Sequence, residues 1–156
     1  MALIELQTFI SAPPDRCFDL SLSVELHLDA AAAAGERAVD GTTSGLMRLG
    51  DVVTWEAKHF GWNHRLSVRI TGHERPRWFR DERVGGALRR MRHDHWFDTA
   101  SGGTTMRDAF EFSTLPLLDS LVLAPHLRRF LIARNQFIRR VAESDEWMRY
   151  LGEPRP

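Results

Sequence analysis

The pattern of apolar residues changes from strand-like to helical near Thr114, and that change limits the folds open to this chain. Between Asp51 and Ser113, apolar and polar residues alternate in segments separated by short turns, which is typical of antiparallel strands. Beyond Thr114, apolar residues recur at spacings of three, four and seven, as they do along one face of a helix. Because a long amphipathic helix must bury its apolar face, the pattern predicts a sheet packed against one C-terminal helix.

Short, turn-rich loops separate the alternating segments and predict a meander of neighbouring strands. Its strands are DVVTWEAKHF, HRLSVRITG, RWFRDERV, LRRMRHDHWFD and TTMRDAFEF. A first strand is predicted over residues 3–10 and a further short strand within residues 36–50. The sheet is therefore expected to contain six to seven strands.

Two short helices are predicted after the first strand. The segment SAPPDRCFDLSLS places prolines in a first helical turn, where no amide donor is needed, and the segment VELHLDAAAAA ends at Gly35. The main helix is predicted over about residues 125–148. The fold class is therefore α+β, and a length of 156 residues fits one domain spanning residues 1–156.

The charge balance argues against nucleic acid as a partner. The chain has 21 Lys and Arg against 21 Asp and Glu, so it offers no basic field for phosphates. The arginines at 128, 129, 139 and 140 are interpreted as a solvated helix face. The lone Cys17 cannot form an internal disulfide, which fits a reducing compartment or indifference to the redox state. We find neither a signal-peptide pattern nor a membrane-spanning apolar run, so we expect a cytoplasmic protein without integral membrane association.

The ordered set of segments resembles the START-like, or SRPBCC, superfamily, which includes polyketide cyclases, Bet v 1-like proteins and ring-hydroxylase catalytic domains. The resemblance covers nearly the whole chain. It rests on FISAPPDRCFDLSLSVELH, GDVVTWEAKHFG, ERPRWFRDERVGGALRRMRHDHWFDTASGGTTMRDAFEF and the final helix. It implies a helix-grip fold, in which a curved antiparallel sheet wraps around the C-terminal helix and usually leaves a cavity. The superfamily shares no single catalytic set, so the resemblance implies no catalytic residues.

The loop ASGG fixes a register for the last two strands. It places Arg92 opposite Glu111 on an exposed face, as a cross-strand ion pair. The opposite, inward face carries four pairs, which are Phe97 with Met106, His95 with Asp108, His93 with Phe110, and Met91 with Phe112. Three of these pairs are largely apolar, so this face is predicted to look toward the cavity.

The earlier hairpins extend the inward face. A turn at Trp62–Asn63 would place Trp55 opposite Ile70, and a three-residue loop at Gly85–Ala87 would place His93 beside Phe79. The inward side chains predicted to contact a ligand are Trp55, His59, Phe79, Asp81, Arg83, Met91, His93, Phe97, Met106, Phe110 and Phe112. Apolar walls with a few convergent polar groups are typical of a small-molecule pocket.

The polar residues of this face allow several interpretations. His95 and Asp108 are candidate catalytic residues, because a carboxylate beside an imidazole suits acid–base chemistry. A buried pair that satisfies itself and sets the register is the favoured interpretation, and contact with a ligand is the next. His93, His95 and Asp108 also have the composition of an iron or zinc site. No other Cys or His cluster supports that reading, so no metal or cofactor is predicted. Arg83 could meet a ligand anion or pair with Asp81.

The favoured function is binding of a small, mostly hydrophobic ligand that is lipid-like, aromatic or polyketide-like. The alternative is a cyclase or dehydratase of the polyketide type, in which His95 and Asp108 move a proton. A groove that accepts a partner segment is a third reading. The oligomeric state is open, with a homodimer as one candidate. The chain lacks the sequence motifs of serine hydrolases, P-loop proteins and dinucleotide-binding proteins.

Overall fold

Seven strands form one antiparallel sheet in the computed structural model, which describes residues 1–152 apart from the side chain of Pro116. The strands are β1 (Ala2–Ile10), β2 (Arg37–Gly41), β3 (Val52–His59), β4 (Trp62–Glu74), β5 (Trp78–Gly86), β6 (Arg90–Ala100) and β7 (Gly103–Ser113). Their order across the sheet is β1-β7-β6-β5-β4-β3-β2, so the predicted meander is confirmed from β3 to β7. Residues 153–156 of the predicted domain lie outside the described residues.

Helices occupy the two stretches that the sequence predicts. Two short helices follow β1, namely α1 (Pro14–Leu22) and α2 (Val24–Ala30), and a 3-10 turn (Ala32–Ala34) ends at Gly35, whose φ is 62°. After β7 come one helical turn, α3 (Pro116–Leu118), a π-helical turn (Asp119–Leu123), the main helix α4 (Ala124–Ala142) and a short α5 (Trp147–Leu151). None of the helices within residues 1–152 is long and apolar enough to cross a membrane.

The main helix is shorter at its C-terminal end than the predicted range of about 125–148. It ends at Ala142, where the Ser144 hydroxyl donates to the carbonyl of Val141 at 3.2 Å and accepts from the amide of Glu146 at 3.3 Å. Local hydrogen bonds of this kind compete with the helical ladder. The chain therefore turns before α5 begins.

The register predicted for β6 and β7 is confirmed. Arg92 lies opposite Glu111, and His95 lies opposite Asp108. In the β3–β4 hairpin the predicted turn at Trp62–Asn63 is wrong. The turn is formed by residues 60 and 61, a phenylalanine and a glycine with φ of 52° and 78°, the positive values that a type I′ turn requires.

The strand pairings on both sides of β5 also differ from the predicted ones. Two bulges interrupt the β4–β5 pairing, and the extension of β5 through Gly86 shifts the β5–β6 register by two residues. Asp81 consequently lies opposite His93, and Phe79 lies opposite His95. The shifts of the β3–β4 and β5–β6 pairings are even numbers of residues, so the inward side chains of β3 and β6 remain on the inward face.

Side chains fill the half of the space between the sheet and α4 that lies near α1. The ring of Phe18 packs edge-on against Phe79 and Phe97, with centroids 5.5 and 5.4 Å apart. Ile138 and Val141, from the C-terminal half of α4, are fully buried in the same core. The N-terminal half of α4 faces the sheet across a cavity instead.

Candidate functional site

A cavity of about 240 Å³ lies between the inward face of the sheet and the N-terminal half of α4. Its walls are mainly apolar and include Trp55, Val68, Phe79, Phe110, Leu127 and Phe130. Strand alternation explains this composition, because side chains two residues apart on β5 and β6 point to the same face. One end of the cavity is closed by polar side chains, and the opposite end is partly exposed.

Eight of the predicted site residues line this cavity, namely Trp55, His59, Phe79, Asp81, Met91, His93, His95 and Phe110. Three other predicted site residues, Phe97, Met106 and Phe112, do not line the cavity. They are buried in the packed core instead. Arg83 is also placed elsewhere. Its guanidinium donates to the carbonyls of Gly86 at 2.8 Å and Ala87 at 3.2 Å, so the suggested pairing with Asp81 is not formed.

The closed end is built around the carboxylate of Asp108, which is buried and lies behind the cavity wall. Nε2 of His93 lies 2.9 Å from Oδ1 of this carboxylate. The Asn135 amide donates to Oδ2 at 2.7 Å, and the Arg134 guanidinium donates to Oδ1 at 3.2 Å. We refer to the residues of this network, together with Asp81 and His95, as the inner cluster.

His95 stands between two carboxylates. Its Nδ1 lies 3.1 Å from Oδ1 of Asp108, which is the predicted pair, but its shorter contact joins Nε2 to Oδ2 of Asp81 at 2.9 Å. The ring is sandwiched between Phe79, at a centroid distance of 4.1 Å, and His93, at 3.7 Å. Both ring nitrogens of His95 therefore already contact carboxylates of the protein, and neither is free to bind an organic ligand.

The inner cluster shifts the protonation equilibria of its members. Burial, together with the charge of His95, lowers the pKa of His93 from 6.5 to about 4 despite the neighbouring Asp108, so the ring is neutral at neutral pH. Burial would raise the pKa of Asp108, but hydrogen bonds from His93 and His95 and the charge of Arg134 bring it well below its usual value. The pKa of Asp81 is also lowered, because its bond to His95 and nearby positive charge outweigh burial.

Sequence reasoning missed Arg134 and Asn135, which tie the helix to the sheet at this point. Both side chains are buried, at 6 % and 1 % exposure. They lie three and four residues after Leu131 and shortly before Ile138, which places them within the apolar stripe of α4. Polar residues inside such a stripe are the signal that could have identified them, since buried polar side chains require partners.

A second group of histidines stands at the exposed end of the cavity, and we call His59, His64 and His126 the mouth histidines. Nδ1 of His59, at the end of β3, lies 3.0 Å from Nε2 of His126 in α4. The ring of Phe60 packs on His126 with centroids 4.6 Å apart. Burial and the nearby His126 lower the pKa of His59. This contact links the β3–β4 hairpin to the main helix.

A third polar contact lies along the cavity wall. The ring of His27, from α2, stacks on Trp55 at a centroid distance of 4.1 Å, and its Nε2 lies 3.3 Å from Oε1 of Glu36. This pair was also missed from the sequence. It provides a cavity histidine that has no contact with the inner cluster.

Comparison with known proteins identifies similar structures but no similar sequence. No family model matches the chain, and no curated protein matches it. The Zhui aromatase/cyclase from Streptomyces sp. R1128 is similar with a TM-score of 0.73 at 15% identity, covering 91% of this chain and 93% of that one. Ara h 8.0201 gives a TM-score of 0.68 at 14% identity, covering 90% and 97%. Ginseng major latex-like protein 151 from Panax ginseng gives 0.68 at 16%, covering 92% and 98%.

These similarities extend over most of each chain. At such low identities they concern the fold alone. The seven-stranded antiparallel sheet, the two short helices after β1 and the long C-terminal helix agree with them. The chain therefore has the helix-grip fold that the sequence resemblance implies.

Proposed function

We propose that the protein binds a small, mostly apolar ligand whose polar end carries a hydroxyl group. The observation that carries this proposal is the contrast within the cavity between apolar walls and one polar end. Burial of about 300 Å² of apolar ligand surface would contribute roughly 7 kcal/mol before the costs of association. Lipid-like, aromatic and polyketide-like compounds provide such a surface.

The polar end selects the hydroxyl. Nε2 of His93 is directed to Asp108, and Nδ1 of the same ring has no hydrogen-bond partner within the described residues. Because the ring is neutral and its Nε2–H is donated to a carboxylate, Nδ1 is left with a lone pair. A lone pair at a cavity wall accepts a hydrogen bond, so it favours a ligand that donates one.

A matched pair of ligands tests this proposal. We expect 2-naphthol to bind about five- to tenfold more tightly than 2-methoxynaphthalene, because only the first donates a hydrogen bond. Isothermal titration calorimetry at neutral pH measures both affinities. His93→Leu should remove the difference, whereas Phe130→Ala, which trims an apolar wall, should weaken both ligands alike. Equal binding of the two ligands to the native protein would contradict the proposal.

A cyclase or dehydratase remains the second candidate function. The similarity to an aromatase/cyclase favours it. So does the geometry of His93, whose free Nδ1 and Asp108-bound Nε2 suit a general base that removes a proton beside a carbonyl. His95, the base suggested by the sequence, has both nitrogens occupied. The proton acceptor is therefore placed on His93 in this proposal.

Deuterium exchange at the acidic carbon of 2-tetralone separates an enzyme from a binding protein. An enzyme should accelerate the exchange in D₂O, followed by proton NMR, and His93→Gln should slow it by about 10²–10⁴-fold with little change in affinity. Binding of 2-tetralone without accelerated exchange would leave ligand binding as the function.

A further inference from the structure

We propose that Asp81, His93 and His95 form a binding site for one divalent transition-metal ion at the closed end of the cavity. One ligand atom from each of these residues lies within 4.8 Å of those of the other two. The pairing of β5 with β6 creates this group, because Asp81 lies directly opposite His93 and His95 follows two residues later on the same face. The proposal goes beyond ligand binding, since the ion would bind without any organic molecule. The ion would take the same Nδ1 lone pair of His93 that accepts the ligand hydroxyl, so the ion and the hydroxyl bind to this atom as alternatives.

Asp108 orients both imidazoles for this role. Its Oδ1 lies 2.9 Å from Nε2 of His93 and 3.1 Å from Nδ1 of His95. In the ion-bound form, a ring N–H directed to each contact would leave the lone pairs on Nδ1 of His93 and Nε2 of His95, which lies 2.9 Å from the Asp81 carboxylate. His95 would then give up the Nε2–H that it otherwise donates to Asp81. Its Nδ1–H would be directed to Asp108 in place of the longer contact, 3.4 Å, that Nδ1 makes with Nη2 of Arg134. A carboxylate behind a metal-binding histidine fixes its tautomer and orientation. Here the Asp108 carboxylate would orient the rings of both His93 and His95.

The charges of the cluster also favour a cation. Two carboxylates, the buried Asp108 and the partly buried Asp81, face a single guanidinium, that of Arg134, which binds Asp108. When both imidazoles are neutral, the inner cluster carries one excess negative charge in a site largely shielded from water, and a proton on His95 would cancel it. Uncompensated buried charge is costly, so the site favours a compensating positive charge. A metal ion and a proton on an imidazole are the two ways to supply it, and the test below distinguishes them.

The ligand set specifies the class of ion. Two imidazole nitrogens and one carboxylate are typical of open zinc sites and of sites for Fe²⁺ or Co²⁺, in which other positions stay free for water or substrate. The free positions would face the cavity, because all three residues line it. This set differs from the His93, His95 and Asp108 combination suggested by the sequence, since Asp108 lies behind the rings.

The test uses Co²⁺ and Zn²⁺ with protein that has first been dialysed against a chelator. We expect one equivalent of Co²⁺ to bind with visible d–d absorption, and one equivalent of Zn²⁺ to remain after gel filtration, measured by elemental analysis. Asp81→Asn and His93→Gln should each abolish stoichiometric retention. Asp108→Asn should weaken binding about 10–100-fold. His27→Gln, a cavity histidine outside the cluster, should retain the ion.

Two outcomes would overturn the proposal. One is the absence of a retained equivalent in the native protein. The other is retention that survives His93→Gln but is lost in His126→Gln, which would place the ion at the mouth histidines. If a variant does not fold, as judged by circular dichroism, the native Co²⁺ protein still decides the question. Its proton NMR spectrum should show two paramagnetically shifted, exchangeable imidazole N–H signals, and their absence would contradict the assignment.

The metal test and the ligand test fail independently. Protein that binds 2-naphthol in preference to its methyl ether after chelator dialysis, but retains no ion, would sustain the proposed function and exclude the metal site. Protein that retains one ion and binds neither naphthalene would sustain the metal site and exclude the proposed function.

Discussion

His93 and His95 are 5 % and 2 % exposed, whereas the three mouth histidines reach the surface of the same cavity. In the inner cluster, each ring contacts a carboxylate, and an arginine and an asparagine from α4 complete the network. At the mouth, His59 and His126 contact each other across 3.0 Å. The inner cluster thus has many partners that depend on one another, while the mouth contact can be lost alone.

The difference in the number of partners gives the histidines of the inner cluster and the mouth histidines different roles. Removal of one member of a buried network leaves the others without partners, so the cost exceeds that of one hydrogen bond. Water can replace a partner lost at a partly exposed contact. We therefore expect the inner cluster to govern stability and ligand selection, and the mouth histidines to govern access.

The largest expected effect is that of Asp108→Ala. It leaves Arg134 buried without its carboxylate, and such losses cost about 3–5 kcal/mol of unfolding free energy. His126→Ala, at the mouth, should cost no more than about 1.5 kcal/mol. Urea unfolding at neutral pH measures both, with unchanged denaturant slopes as the check that the unfolded states are comparable. Equal costs would remove the proposed distinction between the two regions.

A smaller effect is expected in the pH dependence of the unfolding free energy, to which His93 should contribute more than His59. The pKa of His93 is about 4 in the folded protein and about 6.5 when unfolded. The unfolded chain therefore takes up a proton first as the pH falls, and the folded state should lose about 2 kcal/mol between pH 7 and pH 5. Below about pH 4 a second loss is expected, because the lowered pKa values of Asp81 and Asp108 stabilise the fold only while both are ionised.

Unfolding free energies measured from pH 7 to pH 5 test this assignment. His93→Gln should flatten the profile, and His59→Gln should flatten it less, since water reaches that ring. A His93→Gln variant with the native pH dependence would show that its ring is not the group that titrates.

The smallest expected effect is that of His126→Phe. The replacement keeps an aromatic ring beside Phe60 but removes the contact with His59, so stability should change by no more than about 1 kcal/mol. Stopped-flow dissociation of 2-naphthol should become about two- to fivefold faster, because the hairpin loses one hydrogen bond to α4. An unchanged dissociation rate would show that the mouth contact does not control access.

The sequence predicts the fold and part of the site because its strongest signals are local. The ASGG loop determines the register of β6 and β7, and it correctly places His95 opposite Asp108. The β3–β4 turn was misplaced because Phe60 adopts a positive φ that its residue type seldom takes. The β5–β6 loop differs from the predicted one because Gly85 and Gly86, typical turn residues, pair with β4 as part of β5. Asp81 therefore lies opposite His93 rather than opposite the predicted Met91.

The remaining part of the site depends on contacts that are distant along the chain. Arg134 and Asn135 meet Asp108 across 26 and 27 residues. Helix periodicity alone does not predict that Asp108 is the partner of these two side chains. The same periodicity placed Arg128 and Arg140 on the solvated face, and both are partly or fully exposed. Arginines of one helix thus have different roles according to their position relative to the apolar stripe.

Nitrogen-15 NMR of the histidine rings tests the central claim most directly. In chelator-dialysed protein at neutral pH, His93 should show a protonated Nε2 and an unprotonated Nδ1, and 2-naphthol should shift the Nδ1 resonance while 2-methoxynaphthalene does not. The account would be contradicted if 2-naphthol shifted only the mouth histidines and left both nitrogens of His93 unchanged.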